Sequence, residues 1–113
     1  MRLIKEIVER YCQSYGIDPE KLNTYREFKG KYITRDSKVY NGVHVDYMRM
    51  CLAYYFRSLN IPVGFIWPHI GYRGHSVVSR QARKVGQLLA MNDPYIMPYW
   101  LRLKEVIQLK QAA

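Results

Sequence analysis

Apolar residues recur at helical spacing near the start of the chain. Between residues 3 and 15 they stand three or four positions apart, at Leu3, Ile4, Ile7, Val8, Tyr11, Cys12 and Tyr15. This pattern predicts an amphipathic helix with one buried face. Gly16 can end that helix, and the following "IDPEKL" predicts a short helical turn with Asp18 as N-cap and Pro19 in its first position.

Two longer stretches further along the chain carry the same period. The first predicts a helix over about residues 47–59, with Asp46 as its cap. Its apolar stripe consists of Met48, Cys51, Leu52, Tyr55, Phe56 and Leu59. The second predicts a helix over residues 75–90. Its core-facing positions are Val78, Ala82, Val85 and Leu89, and its outward-facing positions are Ser79, Arg80, Arg83, Lys84 and Gln87.

Prolines shape the two remaining helical segments. "NIPVGFIWPHI", residues 60–70, is interrupted by proline, so we expect one or two helical turns there. In the stretch that begins with "NDP", Asp93 is suited to cap the last helix and Pro94 to open it, while Pro98 should delay its regular part. The apolar side of this helix is predicted at Leu103, Val106 and Ile107.

A pattern of period two occurs in "KVYNGVHV", residues 38–45. Asn41-Gly42 lies between alternating apolar positions, which is typical of a β-hairpin with a two-residue turn. An irregular loop with a tight turn is the alternative. The preceding residues 23–40 are basic and show no clean period. Together the patterns predict one compact, mostly α domain over residues 1–113, with five or six helical pieces and either a short hairpin or a loop near residues 38–45.

Charge gives the first indication of a partner. The 18 Lys and Arg residues outnumber 9 Asp and Glu, which gives a net charge of +9. An excess of this size on a small domain favours a polyanion, and nucleic acid is the first candidate. An anionic membrane surface is less favoured, because no strongly basic amphipathic helix has a broad Trp, Phe and Leu face. A purely solubilising role for the basic residues explains the composition equally well.

The sequence also bears on location. Its apolar runs are far shorter than a membrane span, and the charges throughout "MRLIKEIVERY" exclude a signal peptide. Cys12 and Cys51 both lie in helical apolar patterns, so we expect reduced core thiols in a cytoplasmic protein. Met1 leads directly into the first predicted helix, from which we expect a complete small protein.

The segment "IGYRGHSVVSRQARKVGQLL", residues 70–89, joins a Gly-containing turn to a basic helix. Two short helices connected in this way are typical of a helix-turn-helix. The second helix of such a motif presents its N-terminal residues to base edges in the major groove, and its N–H groups and dipole favour phosphate. His75 and Ser76 stand at that position, while Arg80, Arg83 and Lys84 lie further along, where they face phosphates or water.

The same segment resembles the C-terminal DNA-binding domain of the bacterial replication initiator DnaA. "VGFIWPHI" is similar to the first helix of that family's motif. In "GYRGHSVVSRQARKV" the positions that match or approximate the family pattern are Gly71, Arg73, His75, Ser76, Val78, Ala82, Arg83 and Lys84. Three further stretches resemble parts of the family sequence, and they occur in the same order. They are "IVERYCQSYGIDPEKL", "YMRMCLAYYFRSL" and "LLAMNDPYI".

The resemblance implies a function and a place of action. It implies the family's helical fold and the binding of double-stranded DNA. The role would lie in replication initiation or its regulation, or in transcription control. The protein would act in the cytoplasm, at the nucleoid, or in the host cytoplasm if a phage encodes it.

Roles for individual residues follow from the same resemblance. His75 and Ser76 would contact bases or the sugar-phosphate backbone from the major groove, unless they serve only as helix caps. Arg49 would contact a phosphate, and Arg73 would lie in the turn against the DNA backbone. Arg35 or Lys38 would enter the minor groove, and the hairpin tip would act as a wing. The complete set of predicted DNA-binding positions is Arg35, Lys38, Arg49, Arg73, Gly74, His75, Ser76, Val77, Arg80, Arg83 and Lys84.

The chain departs from the family pattern at several of these positions. Gly74 stands where the family has an acidic residue, and Val77 stands where it has a second hydroxyl. Pro68 interrupts the helix before the turn. These departures motivate a second hypothesis, a protein-interaction adaptor that keeps the fold and has lost DNA readout.

No catalytic pattern accompanies these features. The sequence has no Walker A loop, no dinucleotide-binding fingerprint and no Cys/His cluster with metal spacing. His44 and Asp46 of "HVD" lack a third partner for a metal or catalytic site. We therefore expect no enzyme, no cofactor and no nucleotide. The tyrosines and both tryptophans are expected mostly in the core, because an aromatic platform for single strands would need a sheet face that the pattern does not predict.

Overall fold

Five α-helices make up most of the part of the chain that the structure, a computed structural model, describes. That part comprises residues 2–22, 26–28, 31–33, 39–40, 42–72 and 74–112. The helices are α1 (Arg2–Ser14), α2 (Val45–Ser58), α3 (Val63–Ile70), α4 (His75–Ala90) and α5 (Met97–Ala112). The predicted mostly α fold is confirmed, and α4 begins and ends at the predicted residues.

Helix α2 is the centre of the fold. It packs against α3, α4 and α5, while α1 packs against α3 and α5. Because α2 is covered on several sides, it buries residues beyond its predicted stripe, among them Val45, Met50 and Ala53. Leu59, predicted in the core, is 43% exposed because α2 ends one residue before it.

Gly86 of α4 lies against Tyr54 of α2. A Cβ atom at this position would lie 3.3 Å from Cε1 of Tyr54, whose ring meets Trp100 of α5 edge-on at 5.3 Å between centroids. Without a side chain at residue 86, the tyrosine ring can fill the space between the helices. The predicted core positions Val78 and Val85 are consequently fully buried.

Gly71, at the end of α3, and Arg49 of α2 both contact the carbonyl oxygen of Leu22. Gly71 ends α3 with φ +82°, and a Cβ atom there would lie 1.6 Å from that oxygen. Nε of Arg49 donates a hydrogen bond to the same oxygen at 2.9 Å. This contact joins α2 to the turn after α3, and it therefore helps to set where α4 begins.

Short elements connect α1 to α2. A 3-10 helix (Pro19–Lys21) is capped as predicted, because the Asp18 carboxylate accepts a hydrogen bond from the N–H of Glu20 at 3.0 Å. The strands are β1 (Arg26–Phe28), β2 (Lys31–Ile33), β3 (Val39–Tyr40) and β4 (Val43–His44). Antiparallel pairing of β3 with β4 confirms the hairpin, with Gly42 at φ +79°. The antiparallel pair of β1 and β2 is not predicted by the sequence, because three-residue strands are too short to show a period.

The predicted cap of α2 is wrong, and the alternative role of Ser76 as a cap of α4 does not hold. Asp46 does not cap α2, because this helix begins at Val45, two residues before the predicted start, and His44 takes the N-cap position. Ser76 does not cap α4, because Gly74 takes that position. The side chain of Asp46 instead binds Arg49 within the first turn of α2.

Asp93 binds backbone N–H groups just before α5 begins. Its carboxylate accepts hydrogen bonds from the N–H groups of Tyr95 and Ile96, at 3.1 and 2.9 Å. The regular helix begins only at Met97, with Pro98 in its first turn. Both the capping role of Asp93 and the delayed start are therefore as predicted.

Both cysteines belong to the core. Cys12 and Cys51 are buried and free. Burial raises the pKa of each thiol to about 12, because the charged thiolate is disfavoured away from water. The predicted reduced core thiols are confirmed.

Candidate nucleic-acid interface

Helix α3, a short turn and helix α4 follow one another as predicted. α3 ends at Ile70 and α4 begins at His75, with Gly71 and Gly74 among the four residues between them. The two helices pack on each other, and Ile66 and Ile70 of α3 are fully buried. Two packed helices separated by four residues, of which two are glycines, share this order of elements with a helix-turn-helix.

One face of α4 is polar and exposed along its length. The exposed residues on this face are Ser76, Ser79, Arg80, Arg83, Lys84 and Gln87. Because they are three and four residues apart, their side chains project from the same side of the helix. Ser79 and Gln87 are not among the predicted DNA-binding positions. Their helical spacing from Ser76 and Arg83 is the signal that places them on this face.

The N-terminus of α4 is suited to an anion. Gly74 at the N-cap position has extended backbone and no side chain that could accept a hydrogen bond from the first turn. The first N–H groups of a helix have no acceptor within the helix and form the positive end of its dipole. No acidic residue stands in this first turn. The backbone donors at this end therefore fit a phosphate.

His75 is exposed but lies against α3. Its ring centroid is 6.3 Å from that of Trp67. Its Nε2 atom is 3.6 Å from the position that a Cβ atom on Gly64 would take. His75 therefore presents its ring where α3 and α4 meet, and Ser76 is the first residue of the exposed face.

The structure corrects the predicted role of Arg49. Its side chain is only 9% exposed, and its Nη1 atom donates a hydrogen bond to Oδ1 of Asp46 at 2.6 Å. Its Nε atom donates to the carbonyl oxygen of Leu22. A buried guanidinium held by internal acceptors stabilises the joint between α2 and the turn after α3, and it does not present its charge to a phosphate.

Val77 is the second correction. It is half-buried and packs against the core, so it belongs to the inner side of α4 rather than to the exposed face. Arg35, Lys38 and Arg73 lie outside the described residues. The interface that the structure brings together is therefore formed by the first turn and the exposed face of α4.

Charge is distributed unevenly around this face. The sequence contains no Asp or Glu between Asp46 and Asp93, a stretch that includes all of α3 and α4. The ion pairs that the described residues form lie on α1 and α2. Three exposed cations, Arg80, Arg83 and Lys84, therefore give α4 a positive face.

The β3–β4 hairpin is anchored to α5. The N–H of His44 donates a hydrogen bond to the hydroxyl of Tyr99 at 2.8 Å, and Val43 is buried. Gly42 in the turn is exposed. The predicted wing role of the hairpin stays a prediction, because its printed contacts are with α5 and the tip residue Asn41 lies outside the described residues.

The described residues do not bring together a metal or catalytic cluster. They contain no group of three or more His, Cys, Asp or Glu side chains that could hold a metal ion. The two polar residues of "HVD" point to different partners, since Asp46 binds Arg49 and His44 packs edge-on to Tyr47 at 5.3 Å. None of the described helices is both long and apolar enough to cross a bilayer.

Comparison with known proteins adds no relative to this description. The chain matches no family model, no curated protein and no solved structure.

Proposed function

We propose that this chain binds double-stranded DNA by placing α4 in the major groove, in the manner of the DnaA C-terminal domain that it resembles. The exposed face of α4 carries the proposal, because Ser76 and Ser79 at its start are followed by Arg80, Arg83 and Lys84. Small polar groups suit base edges, and the cations that follow suit the sugar-phosphate backbone.

Specificity is assigned to the first turn of α4. The hydroxyls of Ser76 and Ser79 lie nearly one helical turn apart and can donate to or accept from base edges. His75 contacts a base or the backbone from the side of α3. The N–H groups that follow Gly74 bind a phosphate and orient the helix in the groove.

Affinity is assigned to the basic residues further along α4. Arg80, Arg83 and Lys84 neutralise phosphates at the edge of the groove, which releases counterions from the duplex. A module of this kind marks a DNA site for replication initiation, for its regulation or for transcription control. It would act in the cytoplasm, on the nucleoid or on phage DNA.

The salt dependence of duplex binding tests the proposal. The logarithm of the association constant should fall linearly with the logarithm of the salt concentration, by about 0.9 per neutralised phosphate. Arg83→Gln and Lys84→Gln should each flatten this slope by about 1 and weaken all duplexes alike. Lys104→Gln removes an exposed charge from α5 and should leave the slope unchanged. Equal effects of all three changes would contradict docking through α4.

The second candidate function is a protein-interaction adaptor, and Phe65 favours it. This residue is 55% exposed on α3, the first helix of the motif. An exposed aromatic ring on a helix is a common anchor of protein interfaces. Absence of duplex binding at low salt, or binding that does not change with salt, would favour the adaptor over the DNA-binding module.

A further inference from the structure

A cavity of about 400 Å³ opens between the end of α1, the β3–β4 hairpin and the starts of α2 and α5. Its aromatic and charged lining residues are Tyr15, His44, Tyr47, Tyr95, Tyr99 and Arg102. Pro94 and Pro98 complete the wall, and none of the described lining residues belongs to α3 or α4. The volume is in the range of small-ligand sites, about 300–1,000 Å³.

The rings in this cavity form a continuous series of contacts. The centroid of Tyr99 lies 5.8 Å from that of Tyr15 and 5.4 Å from that of Tyr47. The Tyr99 hydroxyl accepts a hydrogen bond from the N–H of His44, and its backbone carbonyl accepts one from the Tyr11 hydroxyl, each at 2.8 Å. Because Tyr99 is held at both ends, little conformational entropy is lost when a planar ligand stacks beside it.

Arg102 adds a positive charge to the aromatic wall. Its guanidinium carbon lies 4.6 Å from the centroid of the Tyr15 ring, and its Nη1 atom donates to the carbonyl oxygen of Ser14 at 2.6 Å. A guanidinium has five N–H donors, so these contacts leave donors for a ligand. No Asp or Glu is among the described lining residues. The cavity therefore combines stacking surfaces with a charge that suits an anion.

We propose that this cavity binds one nucleotide unit, with the base stacked on the tyrosines and the phosphate at Arg102. Aromatic rings together with arginine are the usual means by which proteins hold unpaired bases. A phosphate matches the planar fork of the guanidinium. Arg102 also disfavours a cationic ligand such as a methylated ammonium, which aromatic walls otherwise accept. A free nucleotide and a base of a single strand share this chemistry.

Tyrosine ring signals in NMR spectra of the full chain test the site. Thymidine 5′-monophosphate should shift the signals of Tyr15, Tyr47 and Tyr99, and it should bind more tightly than thymidine, which lacks the phosphate. Arg102→Gln should reduce the affinity for the monophosphate to that for thymidine. A short oligothymidylate that binds more tightly than the mononucleotide identifies a single strand as the ligand, and equal affinities identify the free nucleotide.

A matched pair of variants separates the ring from the hydroxyl of Tyr47. Tyr47→Leu should weaken the binding of both ligands by roughly five- to 150-fold, since stacking on an aromatic side chain contributes about 1–3 kcal/mol per base. Tyr47→Phe keeps the ring and should bind like the wild type. Arg83→Gln, which changes the proposed duplex-binding face, should also bind the mononucleotide like the wild type. The cavity is thus tested independently of duplex binding.

Three outcomes would overturn the proposal. The ring signals stay unchanged at millimolar ligand, the shifts fall on α4 instead, or a proline-rich acidic peptide shifts the ring signals and the nucleotides do not. The melting temperature of each variant is measured first. If Tyr47→Leu does not fold, Arg102→Gln decides the test, because its exposed end can be changed without opening the core.

Discussion

Among the described glycines, Gly71 leaves the least room for a side chain. Its φ of +82° disfavours any other residue, and a Cβ atom would meet the Leu22 carbonyl oxygen at 1.6 Å. Gly16 has a similar φ of +69° but no atom within 4 Å of the corresponding position. Gly16→Ala should lower the free energy of unfolding by about 1–2 kcal/mol, the cost of left-handed backbone. Gly71→Ala should lower it clearly further in urea unfolding, and equal losses would contradict the contact.

Arg49 is a stabilising residue in this structure. Arg49→Gln removes a charged partner from Asp46 and from the Leu22 carbonyl, so we expect a loss of about 1.5–3 kcal/mol in the free energy of unfolding. Arg83→Gln is the matched change at an exposed arginine and should stay within about 0.5 kcal/mol of the wild type. If Arg49→Gln kept full stability and lost only DNA affinity, the phosphate contact implied by the resemblance would be correct instead.

The two thiols should be unreactive in the folded protein. Burial raises the pKa of Cys12 and Cys51 to about 12, so almost no thiolate is present at neutral pH. The thiolate is the reactive form. A disulfide reagent should therefore label both cysteines in denaturant and neither at an appreciable rate in the native state. Rapid labelling of native protein would contradict their burial.

Among the elements, α3 contains a residue that weakens it. Pro68 is the sixth of its eight residues and cannot donate a hydrogen bond to the carbonyl of residue 64. Pro68→Ala should raise the melting temperature, with a net gain of about 1–2 kcal/mol after the greater entropy of the unfolded chain is subtracted. Pro62→Ala at the N-cap position should bring no gain, because Pro62 interrupts no helical hydrogen bond. A lower melting temperature for Pro68→Ala would show that the proline is needed for packing.

The limits and the outer face of a helix could be predicted from the sequence where the helix buries only one face. Helix α4 alternates buried and exposed positions over four turns, so its limits and its outer face follow from the pattern. The burial of Arg49 could not be predicted in this way, because α2 is covered on several sides and a polar residue within it suggests a surface. The aromatic cavity could not be predicted either, because its wall joins residues from Tyr15 to Arg102 that are far apart in the chain.

At the scale of the whole molecule, the fold is compact. Its radius of gyration is 13.4 Å, close to the ~13 Å of a compact domain of this length. The chain carries a net charge of +9, and its helices α3 and α4 contain no acidic residue. The molecule should therefore approach DNA with α4 leading, and the association rate should fall as salt is added.

Discrimination between DNA sites tests the central claim, readout of the major groove by the start of α4. A preferred duplex selected from a random pool is compared with a scrambled one, in the wild type and in the double variant His75→Ala, Ser76→Ala. Ser76 is not the helix cap, so the variant should keep its melting temperature nearly unchanged. The ratio of the two affinities should fall at least about tenfold, since each good base contact contributes ~1–3 kcal/mol of discrimination. A folded variant that keeps the wild-type ratio would contradict the claim and leave DNA shape as the source of any preference.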